Sequence, residues 1–181
     1  MKICLEPGAS FKTRGIAIPS ISEADVADIV IKACSDALEE FGIEHDRLFS
    51  PLDKIGVGQL AIQIAVGYDE TQKSKNWSLV EGSSGISARM AEVLSEWGRC
   101  CSFGHQVKTR EGCESSRVRL VLFALNGQDS EQYLCRLTPL GRELAQAIAD
   151  FTTAFLRERR EKQGEAPAKI PETLKQLFDY A

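Results

Sequence analysis

A chain of 181 residues with 43% hydrophobic content is long enough to bury one sizeable core, and one compact domain is the default at that length. Its 22 Lys and Arg against 26 Asp and Glu leave a formal charge of −4, which supplies no electrostatic footprint for nucleic acid or an anionic membrane. The N-terminus reaches the turn at Pro7-Gly8 without an apolar stretch long enough for a signal peptide or membrane span, which predicts a cytoplasmic protein.

Lys2 to Leu5 reads as a short strand ended by Pro7-Gly8, and the polar, glycine-containing stretch up to Pro19 reads as a loop. Ser20, Ile21, Ser22 and Glu23 then have the spacing of a capping box. Behind them Val26, Ile29, Val30, Ala33, Ala37 and Phe41 recur at helical intervals until Gly42 supplies the stop. Ile43 opens a second strand. After a stretch punctuated by Pro and Gly, Leu60 to Val66 reads as a third strand, buried on at least one face. Trp77 to Val80 reads as another short strand. The cluster from Gly82 to Gly85 precedes a helix with Ile86, Met90, Val93, Leu94 and Trp97 on one face, closed by Gly98.

Val107 begins a further strand, and Val118 to Leu125 is the nearly continuous apolar run of a strand covered on both sides. Thr138 and Pro139 read as a cap followed by proline at the first helical position, with Leu140, Leu144, Ala147, Ile148, Phe151 and Phe155 as the buried stripe. Strands alternating with helices in this order predict an α/β fold of three layers, a mostly parallel sheet with helices on both faces and right-handed crossovers. This domain is expected over residues 1–156. Residues 157–181 read as a charged helix end and linker followed by a short helix that docks through Ile170, Leu174, Leu177 and Phe178.

The six cysteines of a chain this size in a reducing compartment are expected as free thiols, with Cys4 and Cys34 as small buried core residues. Cys100, Cys101, His105 and Cys113 include good zinc donors, but the adjacent pair and long gap match no familiar zinc spacing. The same group admits a reactive thiol activated by His105. The plainer reading is partly buried thiols at a helix end.

Several motifs, taken in order, resemble the zinc-dependent N-acetylmuramoyl-L-alanine amidase family. In that family the first strand ends in Asp-Pro-Gly-His and the first helix opens with a zinc-binding glutamate; here the matching text is Glu6-Pro7-Gly8-Ala9 and then Glu23. A family motif of the type Ile-His-Ala-Asn ends the third strand, and Ile64-Ala65-Val66-Gly67 is similar in position, with Ala65 in place of the histidine. The run from His105 to Lys108, the strand up to Asn126 and Gly127, and the last helix look like the family's later parts. No glutamate stands on that strand, where Val121 or Phe123 takes the place of the family's general base. The stretch 47–58 between the second and third strands is barely the length a parallel crossover requires, so the family's second helix is expected to be missing or reduced.

The resemblance implies that only Glu23 remains of three zinc ligands, because alanine offers no donor atom at Ala9 or Ala65. Glu23 is the candidate metal ligand, although capping and the helix dipole already account for a glutamate there. Glu6 is a candidate replacement ligand, against the ordinary expectation that a carboxylate beside a turn is solvated. Tyr68, Asp69, Trp77, Ser83 and Ser84 follow strands at the edge where α/β sheets present ligands, and Asn126 occupies the turn before the last helix. Ordinary loop polarity explains these residues equally well.

The prediction is a non-catalytic ligand- or partner-binding protein on an amidase-like scaffold, with no cofactor, whose ligand is a small molecule such as a peptidoglycan fragment or a protein partner. The alternative is a divergent zinc hydrolase that cleaves an amide in peptidoglycan, with zinc on Glu23, Glu6 and a relocated histidine. A third reading is a thiol enzyme or redox sensor using Cys100, Cys101 or Cys113.

Overall fold

The computed structural model describes residues 1–8, 16–18, 21–49, 55–68, 77–82, 85–100, 106–111, 116–124 and 130–163. In chain order the elements are β1 (Lys2–Pro7), β2 (Ile16–Ile18), β3 (Ile21–Ser22), α1 (Glu23–Glu40), β4 (His45–Arg47), β5 (Gln59–Tyr68), β6 (Trp77–Gly82), α2 (Gly85–Cys100), β7 (Gln106–Glu111), β8 (Arg117–Ala124) and α3 (Ser130–Lys162). Six strands form one sheet in the order β4-β1-β5-β8-β6-β7, and β2 and β3 form a small hairpin. All neighbours in the large sheet run parallel except β6 and β8. The molecule therefore has the α/β, mostly parallel architecture that the order of elements predicts.

The pleat sends alternate side chains to opposite faces, so each strand sorts its residues by parity. Ile3 and Leu5, Leu60 to Ile64 on alternate positions, and Val118, Leu120 and Leu122 share one face and are fully or almost fully buried. Onto that face pack Val30 and Leu38 of α1, Met90 and Leu94 of α2, and Leu140, Leu144 and Ile148 of α3, all in one core cluster. Burying each large aliphatic side chain contributes about 1.5–3 kcal/mol before conformational entropy is set against it. The other face carries Cys4, Glu6, Ala61, Gln63, Ala65 and Val121, which are buried as well. The sequence predicts helices on both faces; α1, α2 and α3 all contribute to the cluster on the first.

α1 starts at Glu23, directly behind the capping residues, and ends where Gly42 takes a left-handed φ of 68°. That conformation suits glycine, and Ile43 N–H closes the end by bonding the Leu38 carbonyl at 2.9 Å. α1 and α3 meet closely at Gly141, where a Cβ would lie 2.6 Å from the Val30 carbonyl oxygen and 2.7 Å from the Ala33 Cβ. Glycine is what lets the two backbones approach.

Three expected boundaries are corrected. The last helix begins at Ser130, not at Pro139, which sits inside it. Leu137 is fully buried and continues the Leu140, Leu144, Ile148 stripe upstream, so packing carries the helix through the proline despite the lost backbone donor. Gly98 does not end α2, which runs on to Cys100. The stretch expected as one loop up to Pro19 includes β2, paired antiparallel with β3. The charged segment after residue 156 continues α3 as far as Lys162, while the expected docking helix of the C-terminal tail lies outside the described residues. Among the described residues no helix is long and apolar enough to cross a membrane.

Candidate functional site

The parallel strands β1, β5 and β8 end at one edge of the sheet. There Gly8 N–H bonds the Ile64 carbonyl at 2.7 Å, and Ala65 lies in register with Val121. A Cβ built on Gly8 would come within 2.2 Å of the Ala65 Cβ, so the chain leaving β1 passes directly against Ala65. Since β4 runs parallel to β1, α1 has to bring the chain back from this same edge, and Glu23 opens the helix there. Glu23, Ala65 and the Val121 and Phe123 positions of β8 thus fall at one end of the sheet. At two of these positions stand side chains without a donor atom, Ala65 and Val121, at 1% and 6% exposure.

Glu6 faces away from α1 and α3 and is completely buried, not solvated beside its turn. Arg117, on β8, reaches across β5 to it: Nε donates to Oε1 at 2.5 Å and Nη2 to Oε2 at 3.2 Å. Gln63, its register neighbour on β5, adds a hydrogen bond from Nε2 to Oε1 at 3.2 Å. A two-pronged guanidinium matches the planar carboxylate and supplies the charge compensation a buried anion needs. Glu6 is thereby held inside the sheet, tying together three parallel strands. Nothing in the sequence announces this pair, whose members stand 111 positions apart.

Tyr68 is the last residue of β5 and Trp77 the first of β6. Because Trp77 pairs with Phe123 and Gly67 does likewise, both begin or end at the edge that holds Gly8. Ser83 and Ser84 were expected at that edge too. β6 instead runs antiparallel to β8, so its end at Gly82 lies beside the start of β8, and the chain leaves from the opposite edge. Ser83, Ser84, Asp69 and Asn126 themselves lie outside the described residues, as do Cys101, His105 and Cys113. Glu23 is placed by its backbone alone.

Cys4, Cys34, Cys100 and Cys135 are free thiols; the first two are buried, as their apolar surroundings predict, and the other two are exposed. Burial pushes the Cys34 thiol up to about 12 and raises that of Cys4 as well, so neither is an activated nucleophile. Cys100, expected to be partly buried, closes α2 in the open with its Sγ 3.8 Å from Glu96 Oε1. No group of three or more potential metal-binding side chains converges among the described residues.

These features define a mostly parallel α/β domain whose strand ends gather at one edge around small and apolar side chains. No protein-family profile and no curated protein matches the sequence. Solved structures do match the fold. The N-acetylmuramoyl-L-alanine amidase AmiC2 of Nostoc punctiforme superposes with a TM-score of 0.64 at 15% identity, over 86% of this chain and 97% of that one. The catalytic domain of CwlV, an N-acetylmuramoyl-L-alanine amidase from Bacillus (Paenibacillus) polymyxa, gives 0.63 at 14% identity over 86% and 98%. The catalytic domain of the CD27L endolysin, which targets Clostridia difficile, gives 0.63 at 14% identity over 83% and 97%. The fold is that of N-acetylmuramoyl-L-alanine amidase catalytic domains.

Proposed function

We propose that this chain is a ligand- or partner-binding protein built on the amidase fold, and that its amidase-type centre is non-catalytic. The observation that carries this reading is the pairing of Ala65 with Val121 beside Gly8, at the edge where α1 opens with Glu23. A hydrolytic zinc requires about three protein ligands and one open position. Ala65 offers no lone pair to a metal, neither Val121 nor Phe123 can serve as a base, and Glu6, the other nearby carboxylate, is engaged by Arg117 and Gln63. The described residues at this edge do not supply the three ligands of a hydrolytic zinc.

What the fold retains is a framework for presenting loops. The edge that bears Tyr68, Trp77 and the opening of α1 is where an open α/β sheet ordinarily binds its ligand. Fold alone does not choose the ligand; the names of the structural neighbours make a peptidoglycan fragment the first to test. Incubating the zinc-replenished protein with muropeptides and following both heat of binding and release of peptide separates the possibilities. The proposal expects intact muropeptides after prolonged incubation, with binding detected if such a fragment is the ligand. Release of the peptide stem at a rate proportional to protein would overturn it in favour of a divergent hydrolase.

A further inference from the structure

Away from the strand-end centre, a serine and a histidine meet on the edge strand. Ser35 Oγ lies 2.7 Å from His45 Nε2, and His45 Nδ1 lies 2.9 Å from the Ile43 carbonyl oxygen. A carbonyl oxygen only accepts, so Nδ1 carries a proton, and in the neutral imidazole Nε2 then presents its lone pair to the Ser35 hydroxyl. Two other helical hydroxyls bond in the ordinary local way: Ser95 donates to the Ala91 carbonyl at 2.6 Å and Thr152 to that of Ile148 at 2.8 Å. The Ser35 hydroxyl is directed out of its helix to an imidazole held in the accepting tautomer.

A second observation lies two residues along the same face of β4. Arg47 gives Nη2 to Asp28 Oδ1 at 2.8 Å, but its buried Nε–H has no partner among the described residues. A buried donor without an acceptor is costly, and it is the type of group that stabilises an oxyanion. β4 is the outermost strand of the sheet on that side, and His45 is partly exposed on it.

We propose that Ser35 and His45 form an ester-reactive pair, with Ser35 as nucleophile, His45 as base and the Ile43 carbonyl as its orienting group. The substrates in reach of this chemistry are small activated carboxylic esters. Ser35 Oγ forms a bond to the acyl carbon while its proton passes to His45 Nε2. The ester C–O bond then breaks, and the departing alkoxide takes that proton to leave as the alcohol. Water then bonds the acyl carbon while its proton passes to His45; the Ser35 Oγ–acyl bond breaks, and His45 returns the proton to Oγ as the acid departs. The site is independent of Ala65 and Val121, so its failure would leave the reading of the strand-end centre untouched.

The experiment uses a fluorophosphonate ester, which loses fluoride when a serine oxygen bonds to its phosphorus. Intact mass is expected to show one adduct per chain, and peptide mapping of the wild-type protein should place it on Ser35. Ser35→Ala is expected to abolish labelling, and His45→Gln to slow it at least tenfold, both with unchanged far-ultraviolet circular dichroism. Mapping the wild-type adduct identifies the site even where a variant fails to fold. Absence of an adduct under conditions that label a serine hydrolase, an adduct on another residue, or labelling of folded His45→Gln at the wild-type rate each overturns the proposal.

Discussion

Replacing Glu6 by Gln tests whether the buried ion pair is an energetic joint of the sheet. The carboxylate is fully buried, the Arg117 side chain is only 16% exposed, and two hydrogen bonds of 2.5 and 3.2 Å join them. Two unit charges about 4 Å apart attract by roughly 4 kcal/mol at an effective dielectric constant of about 20. Against this stands the desolvation already incurred by both groups. Removing one partner takes a charge-assisted contact from a group that stays mostly buried, and such changes cost up to about 3–5 kcal/mol. That is a large share of the roughly 5–15 kcal/mol by which a domain is stable. Urea unfolding should therefore show Glu6→Gln and Arg117→Met each losing about 3 kcal/mol or more. A double variant, Glu6→Leu with Arg117→Met, should recover most of the loss because apolar packing replaces both charges. The half-exposed Arg142–Glu40 pair serves as a control, since its removal should hardly move the midpoint. A loss below about 1 kcal/mol in both single variants, or a double variant as unstable as their sum, would refute the reasoning.

Three further changes probe the packing. Gly141→Ala places its Cβ against the Val30 backbone and should lower stability by about 1–3 kcal/mol, although alanine is the better helix former; a higher melting temperature would contradict the close approach of α1 and α3. Pro139→Ala restores the backbone donor inside α3 and should raise stability by up to about 3 kcal/mol in thermal unfolding, whereas no gain would indicate a kink that the core requires. At pH 8 a thiol reagent should reach Cys100 and Cys135 in the native protein but Cys4 and Cys34 only after unfolding, and rapid native labelling of Cys34 would contradict its burial. Because the folded Cys34 pKa of about 12 exceeds the ordinary 9.0, its contribution is intact below pH 9 and is lost as pH rises through that window; Cys34→Ala should show a shallower alkaline decline.

Elements with a strong local signal were legible. The capping residues, the apolar stripe and Gly42 located α1 to within a residue or two, and the apolar runs of β5 and β8 identified the central strands. The beginning of α3 was misplaced because Thr138 and Pro139 make a convincing helix start, even though buried Leu137 continues the stripe upstream. A mostly parallel sheet was expected without naming which strands depart from it, and the direction of β6 and β7 stayed hidden. The short stretch 112–116 carried the missing signal: it is too brief for the crossover that a parallel β7 and β8 would need. At the candidate site, the sequence identified Glu6, Ala65 and the Val121 or Phe123 position by resemblance but not what each touches. Arg117 lies too far along the chain to be assigned to Glu6 by spacing, and the pairing of Ser35 with His45 needs the turn between α1 and β4 to fold them together.

Metal content tests the central claim most directly. Protein purified without a metal-binding tag, replenished with zinc and freed of excess, should hold far less than one zinc per chain by mass spectrometry. About one zinc per chain, lost in Glu23→Ala while the fold persists, would contradict the account and restore a zinc hydrolase to this scaffold.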